Sequence, residues 1–218
     1  MICGVDEAGR GPVFGPLVIA GVTFENEVDV KVLKVRDSKQ LTPLQRKTLA
    51  KTIKERASNF ELLVISASDI DDMRKVMTLN EIEVYAFSTV IKKLKPQQCF
   101  VDAADVKEKR FGQAILANLS FAPEMISKHK ADAIYPVVGA ASILAKTTRD
   151  EHIIEIEKKL HKKLDLPLGS GYPADPITIS FLKAWLERYG KLPPFVRHSW
   201  KTTHHLLSQS KTKTLDNF

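Results

Sequence analysis

Two cysteines in 218 residues, Cys3 and Cys99, match no zinc-binding spacing. Both sit in short apolar runs, Ile2-Cys3-Gly4-Val5 and Cys99-Phe100-Val101, and read as buried thiols of a reducing compartment. No run approaches the ~18–20 apolar residues of a membrane span. The N-terminus lacks a basic stretch followed by an apolar one, so no signal peptide is expected and a cytoplasmic location is. Internal repeats and low-complexity segments are missing as well. A nucleotide-binding P-loop is excluded, because the glycine-rich stretch near the N-terminus closes on no lysine followed by Ser or Thr.

What the chain does have is positive charge. Thirty-three Lys and Arg against 26 Asp and Glu give a formal net charge of +7, with a pI near 9.3. A basic surface of this size suits a polyanion, although solubility alone would account for it. Hydrophobic residues at 44% and charged residues at 27% are ordinary for a globular chain with a core. The length suits one α/β domain with room for a helical extension.

Hydrophobic periodicity predicts strands at Ile2–Asp6, Leu17–Phe24, Phe60–Ser66 and Gln98–Asp102, with a weaker fifth at Glu124–Ser127. Helices are predicted at Thr42–Ser58, where Thr42 reads as an N-cap and Pro43 as the first helical residue. Further helices are predicted at Thr78–Leu94, Lys107–Asn118, Val137–Leu160 and Pro176–Tyr189. The small-residue run Gly139-Ala140-Ala141-Ser142 should let its helix lie close to a neighbour. These elements imply a mixed sheet with helices on its faces. Trp185, at helical spacing from Phe181, reads as core, and the six histidines receive no role.

The chemistry concentrates in Gly4-Val5-Asp6-Glu7-Ala8-Gly9-Arg10-Gly11-Pro12, an apolar strand ending in two acids and a glycine-rich turn. Consecutive strand side chains point to opposite faces, so both acids serve one site only if the backbone turns there. Arg10 offers a fork of donors that fits phosphate. A solvated acidic turn paired to Arg10 is the competing account. Asp102 also ends an apolar strand, and Asp132 precedes the long helix, where it could equally serve the helix start. Together the four carboxylates suit Mg2+ or Mn2+, two of which can promote phosphodiester hydrolysis.

Six blocks in order carry a specific resemblance: GVDEAGRGPVFGPLVIAG at Gly4–Gly21, DSKQL at Asp37–Leu41, VDAAD at Val101–Asp105, KADAIYPVVGAASILAKTTRD at Lys130–Asp150, GSGYPAD at Gly169–Asp175 and HSWKT at His198–Thr202. The chain resembles type 2 ribonuclease H (ribonuclease HII) of the archaeal kind over nearly its whole length. The resemblance implies a ribonuclease H-like mixed five-stranded sheet flanked by helices over residues 1–165, a C-terminal helical extension over 166–207, and a flexible tail over 208–218. It implies that Asp6, Glu7, Asp102 and Asp132 bind Mg2+ or Mn2+. It implies an endoribonuclease acting on RNA/DNA hybrids and on single ribonucleotides in duplex DNA, leaving 3′-hydroxyl and 5′-phosphate ends.

By the same resemblance, Gly9, Arg10 and Gly11 contact the ribonucleotide and Tyr172 stacks on the sugar of the next deoxynucleotide. Ser38 and Lys39 grip the backbone, and Ser142 and Lys146, four apart on one helix face, lie along it. Arg149 and Asp150 are expected to form a structural ion pair. Leu215 and Phe218 fit part of a sliding-clamp peptide, with Thr212 where glutamine is usual and one aromatic missing. The chain is expected to be a monomer. A different metal nuclease on this fold, acting on DNA, would share the acids but not Gly9-Arg10-Gly11 with Tyr172.

Overall fold

The computed structural model describes residues 1–33, 35 and 41–215, the last five by their backbone alone. Ser38, Lys39 and Phe218 lie outside the described residues, as does the side chain of Leu215. In chain order the elements are β1 (Ile2–Ala8), β2 (Leu17–Phe24), α1 (Glu27–Lys31), α2 (Pro43–Arg56), β3 (Asn59–Ile65), α3 (Ala67–Met73), α4 (Leu79–Leu94), β4 (Gln98–Asp102), α5 (Glu108–Ala117), β5 (Glu124–Lys128), α6 (Ala131–Ile134), α7 (Pro136–His161), α8 (Pro176–Tyr189) and α9 (Lys201–Leu215).

The five strands form one sheet in the order β3-β2-β1-β4-β5. β1 pairs antiparallel with β2 and parallel with β4, which pairs parallel with β5. The sheet is therefore mixed and flanked by helices, as expected. Parallel pairing sets Val5 beside Val101. One step further along stand Asp6, two residues before the end of β1, and Asp102, the last residue of β4. β1 is central and β2 is buried at every position, which is why both read as unbroken apolar runs.

Helix starts follow the sequence closely. Thr42 caps α2 and Thr78 caps α4. In each, the threonine hydroxyl accepts the N3 amide while the N3 side chain, Gln45 or Glu81, accepts the cap's own amide. α9 runs to Leu215, beyond the Leu207 limit drawn for the helical extension.

The chain divides into two compact units that interleave along the sequence. The first comprises Met1–Ala8, Val18–Val64 and Met77–Thr148; the second comprises Gly9–Leu17, Ile65–Val76 and Arg149–Phe218. The first holds the sheet and a core containing Val18, Val22, Ile53, Val138 and Leu144. The second packs Phe14, Phe181, Trp185 and Leu186 together, with Phe14 edge-on to Phe181 at 5.9 Å. Trp185 is core, as its spacing from Phe181 predicts.

Within the first unit β1 touches α7 backbone to backbone. A Cβ on Gly4 would lie 2.2 Å from the carbonyl oxygen of Val137 and 2.6 Å from the amide nitrogen of Val138. The small residues at the start of α7 make the same approach elsewhere: a Cβ on Gly139 would lie 3.0 Å from the carbonyl oxygen of Asp132. Gly4→Ala should therefore force strand and helix apart and destabilise the chain by about 3 kcal/mol or more. Urea denaturation measures this; a loss below ~1 kcal/mol would contradict the close contact.

Candidate active site

In the first unit the carboxylates stand at element ends. Asp6 on β1 is 4% exposed and Asp132 on α6 is 8% exposed, while Asp102 at the end of β4 and Glu7 are half-buried. The Asp102 carboxylate accepts the Ala131 amide at 3.1 Å, tying the end of β4 to the start of α6 next to Asp132. Lys130, just before that helix, holds a left-handed backbone at φ 54°, a conformation that costs a non-glycine residue energy.

Burial pushes the Asp6 carboxyl up to about 7, and the charge of Asp102 adds to that, with a smaller push from Asp132. A hydrogen bond from the Ser142 hydroxyl and one from the Glu7 amide at 2.8 Å oppose the rise. Ser142 thus meets Asp6. Lys146, four residues on in α7, is exposed.

One expectation about this segment is corrected. The backbone does not turn at the acids, because β1 stays extended and paired through Ala8, with Glu7 opposite Ile19. Alternation then sends the side chains of Asp6 and Glu7 to opposite faces of the strand. The turn comes at Gly9, where φ is 93°.

The donors fit a hard divalent cation electrostatically. A carboxyl held near neutral by burial and by two further acids marks a place where a cation relieves repulsion. Among the described residues no group of three or more His, Cys, Asp or Glu side chains is gathered closely enough to hold a metal ion by itself. Mg2+ keeps several waters and takes only one or two carboxylates directly, so an open set of acids suits it.

The second unit carries the glycine turn and the tyrosine loop. A Cβ on Gly9 would strike the Pro16 carbonyl oxygen, so the position excludes side chains. Arg197, fully buried, donates to the carbonyls of Gly9, Arg10 (3.1 Å) and Gly15 (3.0 Å), and the Trp200 indole donates to that of Gly11 (3.1 Å). In a trans peptide the N–H points opposite to the C=O. The amides of Arg10 and Gly11 therefore point away from Arg197, and that of Pro12 does not exist.

The Gly169–Asp175 loop is pinned to the start of α8. The Asp175 carboxylate accepts the Ser170 amide at 2.6 Å, the Ser170 hydroxyl at 2.7 Å, the Thr178 hydroxyl at 3.0 Å and the Ile177 amide at 3.0 Å. The Gly171 amide donates to the Thr178 hydroxyl and its carbonyl accepts the Val13 amide. Tyr172 consequently stands 46% exposed, its Cε1 3.4 Å from where a Gly11 Cβ would be. The structure thus brings Gly11 and Tyr172 together, two sites 161 positions apart in the sequence (172 less 11).

Sequence reasoning missed Arg197, although it directly precedes the HSWKT block; a lone arginine beside a histidine carries no signal of burial. The expected Arg149–Asp150 ion pair is not formed. Arg149 is buried, its Nε and Nη2 lack a hydrogen-bond partner, and Asp150 acts on it only at a distance.

A mixed sheet of order 3-2-1-4-5 with acids side by side on its neighbouring strands β1 and β4 defines the ribonuclease H-like class. Within that class the ribonuclease HII family model matches residues 3–203, and the chain belongs to the ribonuclease HII family, a family of endoribonucleases. The ribonuclease HII of Methanosarcina acetivorans is 48% identical over 216 residues, covering 94% of this chain and 95% of that protein. The crystal structure of ribonuclease H2 from Pyrococcus horikoshii superposes with a TM-score of 0.88 at 40% identity, covering 96% of this chain and 98% of that one. Ribonuclease HII of Archaeoglobus fulgidus, solved as a complex with PCNA, gives 0.86 at 38% identity over the whole of both chains. A more distant fold likeness, at a TM-score of 0.78 and 22% identity, is to Bst-RNase HIII in complex with Mn2+, over 97% of this chain and 70% of that one.

Asp6 gives the metal-free protein a pH-dependent stability. Its folded pKa, about 7, lies above the ordinary 3.8, so folding favours the protonated acid. That stabilisation is complete below pH 3.8 and is lost as pH rises through 7. It amounts to roughly 4 kcal/mol. Urea titrations in EDTA should show lower stability at pH 8 than at pH 5, and Asp6→Asn should flatten this difference. Equal stability of the wild type at both pH values would refute the buried acid.

Proposed function

We propose that the chain cleaves the RNA strand of RNA/DNA hybrids and incises duplex DNA at single ribonucleotides, with Asp6, Asp102 and Asp132 holding Mg2+ or Mn2+ and the longer Glu7 side chain, which leaves the other face of β1, reaching the same ions round the strand end. The observation that carries this reading is the burial of Asp6 on β1 beside Asp102 and Asp132, whose charges, after burial itself, push its carboxyl up to about 7. Bound by these acids, a pair of divalent ions would supply Lewis-acid activation of water and charge neutralisation at the leaving oxygen, the chemistry that leaves 3′-hydroxyl and 5′-phosphate ends. Ser142 orients the Asp6 carboxylate, and the Ala131 amide orients that of Asp102. The exposed Lys146 ammonium meets a backbone phosphate, as do Ser38 and Lys39.

The second unit reads the sugar. With its carbonyls held by Arg197 and Trp200, the Gly9–Gly11 turn presents amides, and an amide can donate to the 2′-hydroxyl that separates RNA from DNA. The half-buried Arg10 side chain takes an adjacent phosphate. Tyr172 offers its ring to the next deoxyribose, where a 2′-hydroxyl would not fit, and so senses the RNA–DNA junction.

The PCNA complex of the Archaeoglobus relative supports a clamp-binding role for Leu215 and Phe218. The departure at Thr212 from the usual glutamine makes that binding weak. The protein acts as a monomer in the cytoplasm.

The test is incision of a labelled DNA duplex carrying one ribonucleotide, with Mg2+ or Mn2+. Cleavage should vanish with EDTA and return with added metal. Asp102→Asn should cut kcat by about two orders of magnitude or more with duplex affinity little changed. Cleavage of all-DNA duplex at comparable rate would instead favour a DNA nuclease on the same fold. Truncation after Leu207 should weaken clamp binding in a titration; equal affinity disposes of the tail.

A further inference from the structure

Arg149 is a buried cation that nothing in its surroundings fully satisfies. It is 7% exposed, and its Nε and Nη2 atoms are buried without a hydrogen-bond partner. A buried guanidinium with two idle donors is costly unless the place has another use for it. Its immediate neighbours are the two turns of the second unit that lack side chains. A Cβ on Gly9 would lie 2.6 Å from Arg149 Cδ and Nε, and one on Gly171 would lie 3.9 Å from Nη2. Both glycines hold left-handed φ values, 93° and 80°, so both turns run backbone-first along the same guanidinium. Tyr172 follows Gly171, lies against Gly11 and interacts electrostatically with Arg149.

We propose that Arg149 is a positioning residue for ribonucleotide recognition: its guanidinium is the spacer that sets the Gly9–Gly11 turn and the Gly171-Tyr172 turn at a fixed separation. The proposal rests on the reading that Gly9–Gly11 and Tyr172 recognise the sugar. An ammonium cannot replace the spacer, because the planar fork fills a flat slot between two backbones while a lysine ends in a compact, strongly hydrated charge. Loss of the spacer moves the Tyr172 ring relative to Gly11, and a shift of about 1 Å in a positioning group can cost up to a hundredfold in rate. Arg197 differs in kind. Its donors are taken up by three carbonyls, so it holds the turn itself and not the gap between turns.

The experiment is a double-mutant cycle between Arg149→Met, which keeps the length of the stem, and Tyr172→Ala. Each variant is assayed for kcat and KM on the single-ribonucleotide duplex, alongside its thermal melt. Arg149→Met should lower kcat/KM about tenfold or more with a melt close to wild type, Arg149→Lys should not rescue it, and the double variant should be no worse than Tyr172→Ala. Multiplying losses would overturn the proposal, as would a loss that tracks a lowered melting temperature or full rescue by lysine. If Arg149→Met fails to fold, Arg149→Lys enters the same cycle; failure of both marks a fold residue and overturns the idea. Tyr172→Ala with unchanged kcat/KM would remove the recognition reading and this proposal together. A damaging Tyr172→Ala that is additive with Arg149→Met removes this proposal alone.

Discussion

Asp6 is a carboxylic acid on the central strand of the sheet, flanked by β2 and β4, and 4% exposed. Most of what surrounds it can be read as a response to that burial. Parallel pairing of β1 with β4 puts a second acid, Asp102, at the neighbouring strand end. The Asp102 carboxylate reaches the Ala131 amide and so fixes the start of α6, which carries Asp132. α7 then packs onto β1 closely enough that Gly4 can bear no side chain, and brings Ser142 to the Asp6 carboxyl. The helix must lie this close for a serine hydroxyl to reach an acid on the strand. Gly4 and the small residues at the start of α7 therefore serve the acid as much as the core.

The second unit solves a different problem, that of holding a glycine turn still. Glycine turns are flexible in isolation because glycine loses more freedom on ordering than any other residue. Here Arg197 and Trp200 donate to the carbonyls of three consecutive residues, and the amides of Val13 and Gly15 donate to the carbonyls of Gly171 and Phe195. The ordering cost of Gly9 and Gly11 is offset by donors from residues some 190 positions away. The same unit fastens the Tyr172 loop to the start of α8 through Asp175. The Gly9–Gly11 turn and the Tyr172 loop are thus both loops on fixed supports.

Elements governed by local rules were legible in the sequence. The cap at Thr42, the bounds of α8 and the two buried central strands all follow from short-range chemistry. The four acids and the Gly9–Gly11 and Tyr172 segments were legible chiefly as ordered blocks, since a strand-end acid has an equally good solvated explanation when read alone. What was not legible depends on contacts between distant segments. The extension of β1 past its acids is set by pairing with β2, the burial of Arg197 by the carbonyls of Gly9 to Gly15, and the interleaving of two units by packing that ignores chain order. Asp150 beside Arg149 looks like an ion pair in sequence; adjacent residues on a helix do not face each other.

The charged groups of this chain separate by whether their partners stabilise or oppose the charge. Asp105 is held down at about 2, chiefly by the Arg110 guanidinium, which grips both of its carboxylate oxygens. Asp175 is held at about 2, first by the Ser170 amide and then by the Ser170 hydroxyl. Arg197 has three carbonyls. In each case the environment favours the ionised form, and the group does structural work by staying charged. Asp6 and Arg149 are the reverse: burial acts against the charge of each, raising the acid and lowering the base. Fold stability alone would favour replacing both with apolar residues of similar volume. Groups kept where folding disfavours their charge are the ones for which a reason must be sought in what binds, and Asp6 and Arg149 fall in the segments proposed for metal binding and for sugar recognition.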